Sequence, residues 1–157
     1  MDTRQEVLDY LRSHHVMTLA TFGAEGPAAA AVFYVNHGTK LYFLSAPKTR
    51  HCRNLMADPR VAVTIQEDYA DWNAIKGIQI DAVVRELEGA ERDEAKRLYG
   101  EKFPDVLDER PILSALAQAL RKVRWYELAA RQIRFINNQK GLGYKDEWSI
   151  ADFLGDN

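Results

Sequence analysis

The chain contains a single cysteine, Cys52, among its 157 residues. That excludes an intrachain disulfide and a metal cluster built on thiolates. It lacks any apolar run near the roughly 20 residues needed to cross a bilayer. Its opening, MDTRQEVLDYL, is charged where a signal peptide would be apolar, so the expectation is a cytoplasmic protein with no membrane partner. It also lacks an excess of either charge: 21 Lys and Arg stand against 23 Asp and Glu, a formal −2. A broad electrostatic footprint for nucleic acid is therefore excluded, and any anion site must be local. There are no repeats, low-complexity tracts or linkers, and one domain over residues 1–157 is expected. No histidine pair has metal-ligand spacing with carboxylate support, so no metal site is expected. No Ser-His-Asp arrangement is evident. GAEGP and GLGY are too sparse in glycine to be nucleotide fingerprints.

What is present reads as strands joined by tight turns. Val7, Leu8 and Leu11 predict a helix over TRQEVLDYLRSHH, capped by Asp2 or Thr3. VMTLATF is a strand and GAEGP a turn. AAAAVFYV has helix-favouring alanines, but Gly26-Pro27 before it, the trailing Val-Phe-Tyr-Val and its short length favour a strand. NHG is a turn and TKLYFLS a third strand. KTRHCRNLMADP predicts a helix capped by Thr49 and stopped by Pro59, with Cys52, Leu55 and Met56 as its apolar stripe. RVAVTIQ and KGIQIDAVVREL are further strands, the latter with Ile78, Ile80, Ala82 and Val84 on one face. Helices are expected over 91–103 and 111–122. A long bent or bulged strand then covers VRWYELAARQIRFINN, with a short one in GLGYKDEWSI. Six or more antiparallel strands and few helices predict a closed barrel.

In this near-neutral chain, SAPKTRHCRN is conspicuous. Lys48, Arg50, His51 and Arg53 gather where the third strand ends and a helix begins. The first turn of a helix leaves N–H groups unpaired and carries partial positive charge. With the hydroxyls of Ser45 and Thr49 and the guanidinium of Arg50, it reads as a phosphate receptor. A solvated basic helix start with no ligand is the equal alternative.

The run GPAAAAVFYVNHGTKLYFLSAPKTRHCRNLMADPRVAVTIQED, continued by KGIQI, resembles the FMN-binding split-barrel superfamily, whose best-known member is pyridoxamine 5′-phosphate oxidase. A closer resemblance, over most of the chain, is to a small bacterial group of uncharacterised split-barrel proteins sharing TRHxRNL, QEDYxDWxxIKGIQ and a strand like IRFINNQKGLG. The resemblance implies a mainly β fold, a split β-barrel of about six antiparallel strands with flanking helices, forming a homodimer with FMN at the subunit interface. It places the flavin ring along Ala30, Ala31, Val32, Phe33 and Tyr34, with further contacts at Leu44 and Ser45. Thr49, Arg50 and His51 match the step that grips the phosphate. His51 stands where lysine is usual, which makes that charge titratable. Gln66 matches a polar contact to the ring. Trp72, Lys76, Gly77 and Gln79 match the segment contributed by the other subunit.

The function so implied is an FMN-dependent oxidoreductase of unknown substrate. No acid or base for substrate chemistry stands out. The family's C-terminal Arg/Trp/His pattern is not plainly reproduced, which argues against pyridoxine-phosphate oxidation. The alternative is a carrier or sensor that binds flavin, deazaflavin or haem without catalysis; for haem, His14, His15, His37 and His51 are the possible axial ligands. A partner-binding β domain without cofactor is the third reading.

Overall fold

The computed structural model describes residues 2–106, 118, 119 and 121–155. It opens with helix α1 (Thr3–Ser13), whose first turn is capped by the Asp2 carboxylate accepting from the Arg4 N–H at 3.1 Å. Val7, Tyr10 and Leu11, spaced three and four apart, turn one face of α1 into the core. Eight strands follow: β1 (Val16–Gly23), β2 (Gly26–Phe33), β3 (Val35–His37), β4 (Lys40–Ser45), β5 (Arg60–Gln66), β6 (Lys76–Glu86), β7 (Arg124–Asn137) and β8 (Lys145–Ser149). Helix α2 (Arg50–Ala57) joins β4 to β5, and α3 (Gly89–Lys102) follows β6. A one-turn helix α4 (Ile150–Leu154), absent from the sequence expectation, follows β8. The helix expected over 111–122 lies mostly outside the described residues.

All strands belong to one antiparallel sheet in the order β2-β1-β5-β6-β7-β4-β3, with β8 beside β7. The two terminal strands of that order, β2 and β3, are consecutive in the chain and separated only by Tyr34. The sheet therefore curls back on itself, and the barrel is seamed at Tyr34. This breaks the expected strand over 28–35 in two. The Tyr34 N–H donates to the His15 carbonyl at 3.0 Å, and its hydroxyl donates to the Leu11 carbonyl at 2.7 Å, tying the corner to α1.

Register sorts the side chains. The row Leu19–Val63–Ile80–Ile133 crosses β1, β5, β6 and β7 and is buried throughout. Burying each such side chain contributes about 1.5–3 kcal/mol. A smaller cluster of Val35, Tyr42, Leu87, Ala95, Tyr99 and Trp125 seats α3 against the barrel. β7 carries the expected irregularity: pairing jumps from Asp81↔Gln132 to Ala82↔Ala130, which leaves Arg131 as the extra residue of a bulge.

Two turns differ from expectation for identifiable reasons. Gly26, at φ +91°, lets the chain reverse over Ala24 and Glu25 alone, so β2 starts earlier and includes Pro27. Proline is tolerated there because β2 ends the sheet and owes no second ladder. Asn36 and His37, expected in a turn, instead pair with Leu41 and Lys40, because Gly38 at φ +58° takes the reversal one residue later.

Candidate functional site

Helix α2 begins where expected. Thr49 caps it, accepting from the Cys52 N–H at 3.4 Å and donating to the Ala46 carbonyl at 2.8 Å. Its apolar stripe is only half as expected. Cys52 and Leu55 are buried, but Met56 is 81% exposed and Asn54 is buried in its place. The Asn54 amide donates to the Thr21 hydroxyl at 3.1 Å, which lets a polar side chain face β1.

Arg50, His51 and Arg53 of this turn do not project freely. One nitrogen of the Arg50 guanidinium donates to the carbonyls of Glu25 and Pro27, at 3.0 and 3.2 Å. The Arg50 Nε and an Arg53 nitrogen each lie 3.9 Å from the same oxygen of the Glu25 carboxylate. Two cations therefore converge on one anion at the head of β2. His51 turns the other way, its Nε2 lying 2.7 Å from the Ser45 hydroxyl and 3.3 Å from that of Thr49. Its ring orients hydroxyls and does not reach toward solvent. Beneath it lies Cys52. Burial raises the Cys52 thiol, but hydrogen bonds involving His51, Thr49, Tyr126 and Ser45 outweigh that and bring it down to about 7. At 1% exposure this thiol is a core residue.

From this anchor β2 runs about 20 Å from Pro27 to Phe33, at ~3.3 Å per residue. Its side chains alternate between a half-buried and an exposed face, so residues 30–34 do not form one open platform. Ala30 and Val32 face inward, and Ala31 and Phe33 outward, Phe33 being 56% exposed. Tyr34 is fully buried and its hydroxyl is already satisfied by Leu11, so that side chain is not available to a ligand. Leu44 packs against the α3 cluster.

Near the far end of β2 stand the remaining expected residues. Val16 pairs with Phe33 at the start of β1. Gln66 pairs with Gly77, and its side-chain Oε1 accepts from the Thr64 hydroxyl at 2.7 Å. Gly77 has no room for a side chain of normal comfort, since a Cβ there would lie 3.3 Å from the Ile65 carbonyl. Lys76 offers its backbone carbonyl to the Tyr10 hydroxyl at 3.1 Å. Trp72 lies in a short 3₁₀ turn with 74% of its surface exposed. Gln79 lies in the outward row Ala31–Thr18–Thr64–Gln79–Arg134, which crosses β2, β1, β5, β6 and β7. Directly opposed residues share a face, so Ala31 and Gln79 of one chain share a surface but stand three strand spacings, about 14 Å, apart.

Residues 3–137 match the sequence profile described as pyridoxamine 5′-phosphate oxidase. The chain belongs to the pyridoxamine 5′-phosphate oxidase family. Within that family it is similar to UPF0306 protein YhbP of Salmonella schwarzengrund, 31% identical over 150 residues, which are 94% of either chain. It is similarly related to UPF0306 protein Ent638_3591 of Enterobacter, at 30% over 97% of this chain and 100% of the other. Among solved structures, a heme binding protein from Mycobacterium smegmatis superposes with a TM-score of 0.77 at 22% identity. That match covers 99% of this chain but spans only 61% of the other. A putative pyridoxamine 5′-phosphate oxidase from Listeria innocua gives 0.69 at 18% identity, covering 87% and 99%. The haem storage protein HutZ of Vibrio cholerae gives 0.67 at 24%, covering 83% and 91%. These likenesses establish the split-barrel fold of the pyridoxamine 5′-phosphate oxidase family.

Three features near these residues are not legible in the sequence. Glu25 lies in the expected turn, and that its carboxylate stands opposite two arginines is visible only once β1 and β2 are paired. Tyr10 and Tyr69 exchange a hydrogen bond at 3.2 Å beside Lys76, across 59 residues of sequence. Lys102 places its ammonium 4.4 Å from the centre of the Tyr34 ring and donates to the His14 carbonyl. Burial lowers its pKa to about 8.

Proposed function

We propose that the protein binds FMN along β2, with its phosphate held by Arg50 and Arg53, and acts as a flavin-dependent oxidoreductase. The observation that carries this reading is the convergence of both guanidiniums on one carboxylate oxygen at the head of a terminal strand. An anion is already held there, beside the start of α2. The residues therefore fit a phosphate. The alanines of β2 fit a flat ring, because short side chains let it lie close to the strand.

Bound FMN supplies one- and two-electron transfer. The chain supplies the rest: charge for the phosphate at Arg50 and Arg53, hydroxyls at Ser45 and Thr49 kept in place by His51, and a wall at the outward-facing Ala31 and Phe33. The polar side chains of Gln66, Lys76 and Gln79 are donors for the edge of the ring that gains negative charge on reduction. Because Gln79 and Ala31 are about 14 Å apart in one chain, a second copy laid against the same face completes the site. The homodimer belongs to this proposal.

The test is a titration of the protein with FMN and with riboflavin, read by flavin fluorescence. Replacing Arg50 with alanine removes a charge-assisted contact of about 2–4 kcal/mol, weakening FMN roughly 30- to 1000-fold. Riboflavin, without a phosphate, is expected to bind the wild type and Arg50→Ala alike. Equal loss of both flavins overturns the phosphate role.

Haem is the second reading, favoured by the likeness to the heme binding protein of Mycobacterium smegmatis and the haem storage protein of Vibrio cholerae. His14 has both ring nitrogens within hydrogen-bond distance of partners, the Tyr10 carbonyl and Glu67, and His51 is engaged by Ser45. An axial ligand would come from the exposed His15 or His37. The visible spectrum of the purified protein separates flavin from haem.

A further inference from the structure

Glu25 occupies the place that the reading above gives to the cofactor phosphate. Its carboxylate reaches Arg50 and Arg53 from a two-residue turn, and the carbonyls of Glu25 and Pro27 hold the same Arg50 guanidinium. Resting on that reading, we propose that Glu25 is a resident competitor: a built-in anion that latches the β1–β2 turn to α2 and must be displaced when a phosphate group binds.

The geometry suits a contact that gives way. Both ion pairs are long, at 3.9 Å, and the Glu25 side chain is 72% exposed. When it swings out it returns to water, so little desolvation opposes the exchange. A phosphate brings more charge and more acceptor oxygens to the same two guanidiniums, and Arg forms paired contacts with it. Glu25 lowers the affinity of every anion at this site by a common factor. It has no such effect on an uncharged ligand.

Inorganic phosphate is the first probe because it needs no flavin pocket. Backbone amide shifts of residues 49–53 are followed by NMR as phosphate is added to the wild type, to Glu25→Gln and to Arg50→Ala. Two exposed ion pairs of ordinary strength correspond to about fivefold in affinity. Glu25→Gln is therefore expected to bind phosphate and FMN about fivefold more tightly, with riboflavin unchanged. Addition of phosphate to the wild type is expected to speed amide exchange at residues 24–27 as the latch releases. Glu25→Ala gives a second reading should the glutamine retain a hydrogen bond to either arginine.

The outcomes separate the two ideas. If FMN binds the wild type but phosphate and FMN affinities are unchanged in both Glu25 variants, Glu25 is no competitor and the cofactor reading stands. If no variant binds FMN but phosphate tightens on loss of Glu25 and disappears with Arg50→Ala, the competitor stands and the cofactor reading falls. Tighter riboflavin in Glu25→Gln overturns the proposal, because the effect would then not be one of charge.

Discussion

Lys102 shows what a single buried charge does to this protein. Its ammonium lies over the Tyr34 ring, half removed from water, and burial lowers its pKa from 10.5 to about 8. Below pH 8 the lysine is charged in folded and unfolded chains alike, and the fold carries the whole cost of burying that charge. Between about 8 and 10.5 the folded chain has released the proton while the unfolded chain still holds it. Stability therefore rises with pH across this window. Replacing Lys102 with methionine keeps the stem and removes the titration. Urea unfolding midpoints at several pH values are expected to rise less over this range than those of the wild type. A variant with the same slope as wild type would remove Lys102 as its source. Nothing in the sequence marks Lys102, which looks like any helix-terminal lysine; its environment is made by Tyr34 and His14, far off in the chain. Arg50, by contrast, stands out in the sequence as a basic residue just after the Thr49 cap, although the Glu25 carboxylate it meets lies 25 residues away.

At the scale of elements, the placement of α2 depends on its fit against β1. Gly23 has no side chain, and Asn54 of α2 fills the space: a Cβ on Gly23 would fall 2.0 Å from the Asn54 Oδ1 and 2.7 Å from its Cγ. Asn54 is itself buried and bonded to Thr21, so it cannot swing away without leaving a polar group unsatisfied. Gly23→Ala is expected to cost about 1–3 kcal/mol in a urea titration, and to weaken FMN because α2 carries Thr49, Arg50 and Arg53. Adding Asn54→Ala relieves the clash, so the double variant is expected to lose less than the sum of the singles. Simple additivity would mean that the two residues do not meet. Element type was readable from the chain because local signals agreed: alternation in RVAVTIQ, a threonine cap before RHCRNLMA, glycines at reversals. Strand ends were less readable. Whether Pro27 joins β2, and whether the run breaks at Tyr34, depends on which strand lies at the sheet's end, and that is a property of the assembled sheet.

For the whole molecule, the outer surface of the β1–β2 ribbon is notable for what covers it. Val16, Ala20, Phe22, Pro27, Ala29, Ala31 and Phe33 lie on one face, and Phe22 and Phe33 are more than half exposed. An apolar sheet face of this kind marks an association surface, and the proposed second copy is its occupant. An obligate dimer is expected to bury about 2,000 Å² or more. Ala20→Glu introduces a charge on that face, on β1 and off the strand given to the ring, without touching the core. Sedimentation is expected to show a monomer, and FMN binding is expected to fall with it. A monomer that keeps stoichiometric FMN would leave the site whole within one chain and sink the shared-site reading.

β7 has a further consequence, for the order of assembly. It pairs with β6 along its length, with β4 through its first half and with β8 through its second. The β4–β7 register joins Lys40 to Ala129, a separation spanning more than half the chain. The β1–β2 and β3–β4 hairpins can form as soon as they are made, yet both must wait for β7 before the barrel has a wall between β6 and β4. Such non-local closure places folding on the slow side of the small-domain range, in about milliseconds to seconds. A chain stopped before Arg124 would expose the edges of both β4 and β6, and open strand edges are templates for aggregation. Ribosomes translating this chain thus hold an unclosed sheet until some four-fifths of the protein has been made, which makes β7, and not the basic turn at the head of α2, the step that commits it to its shape.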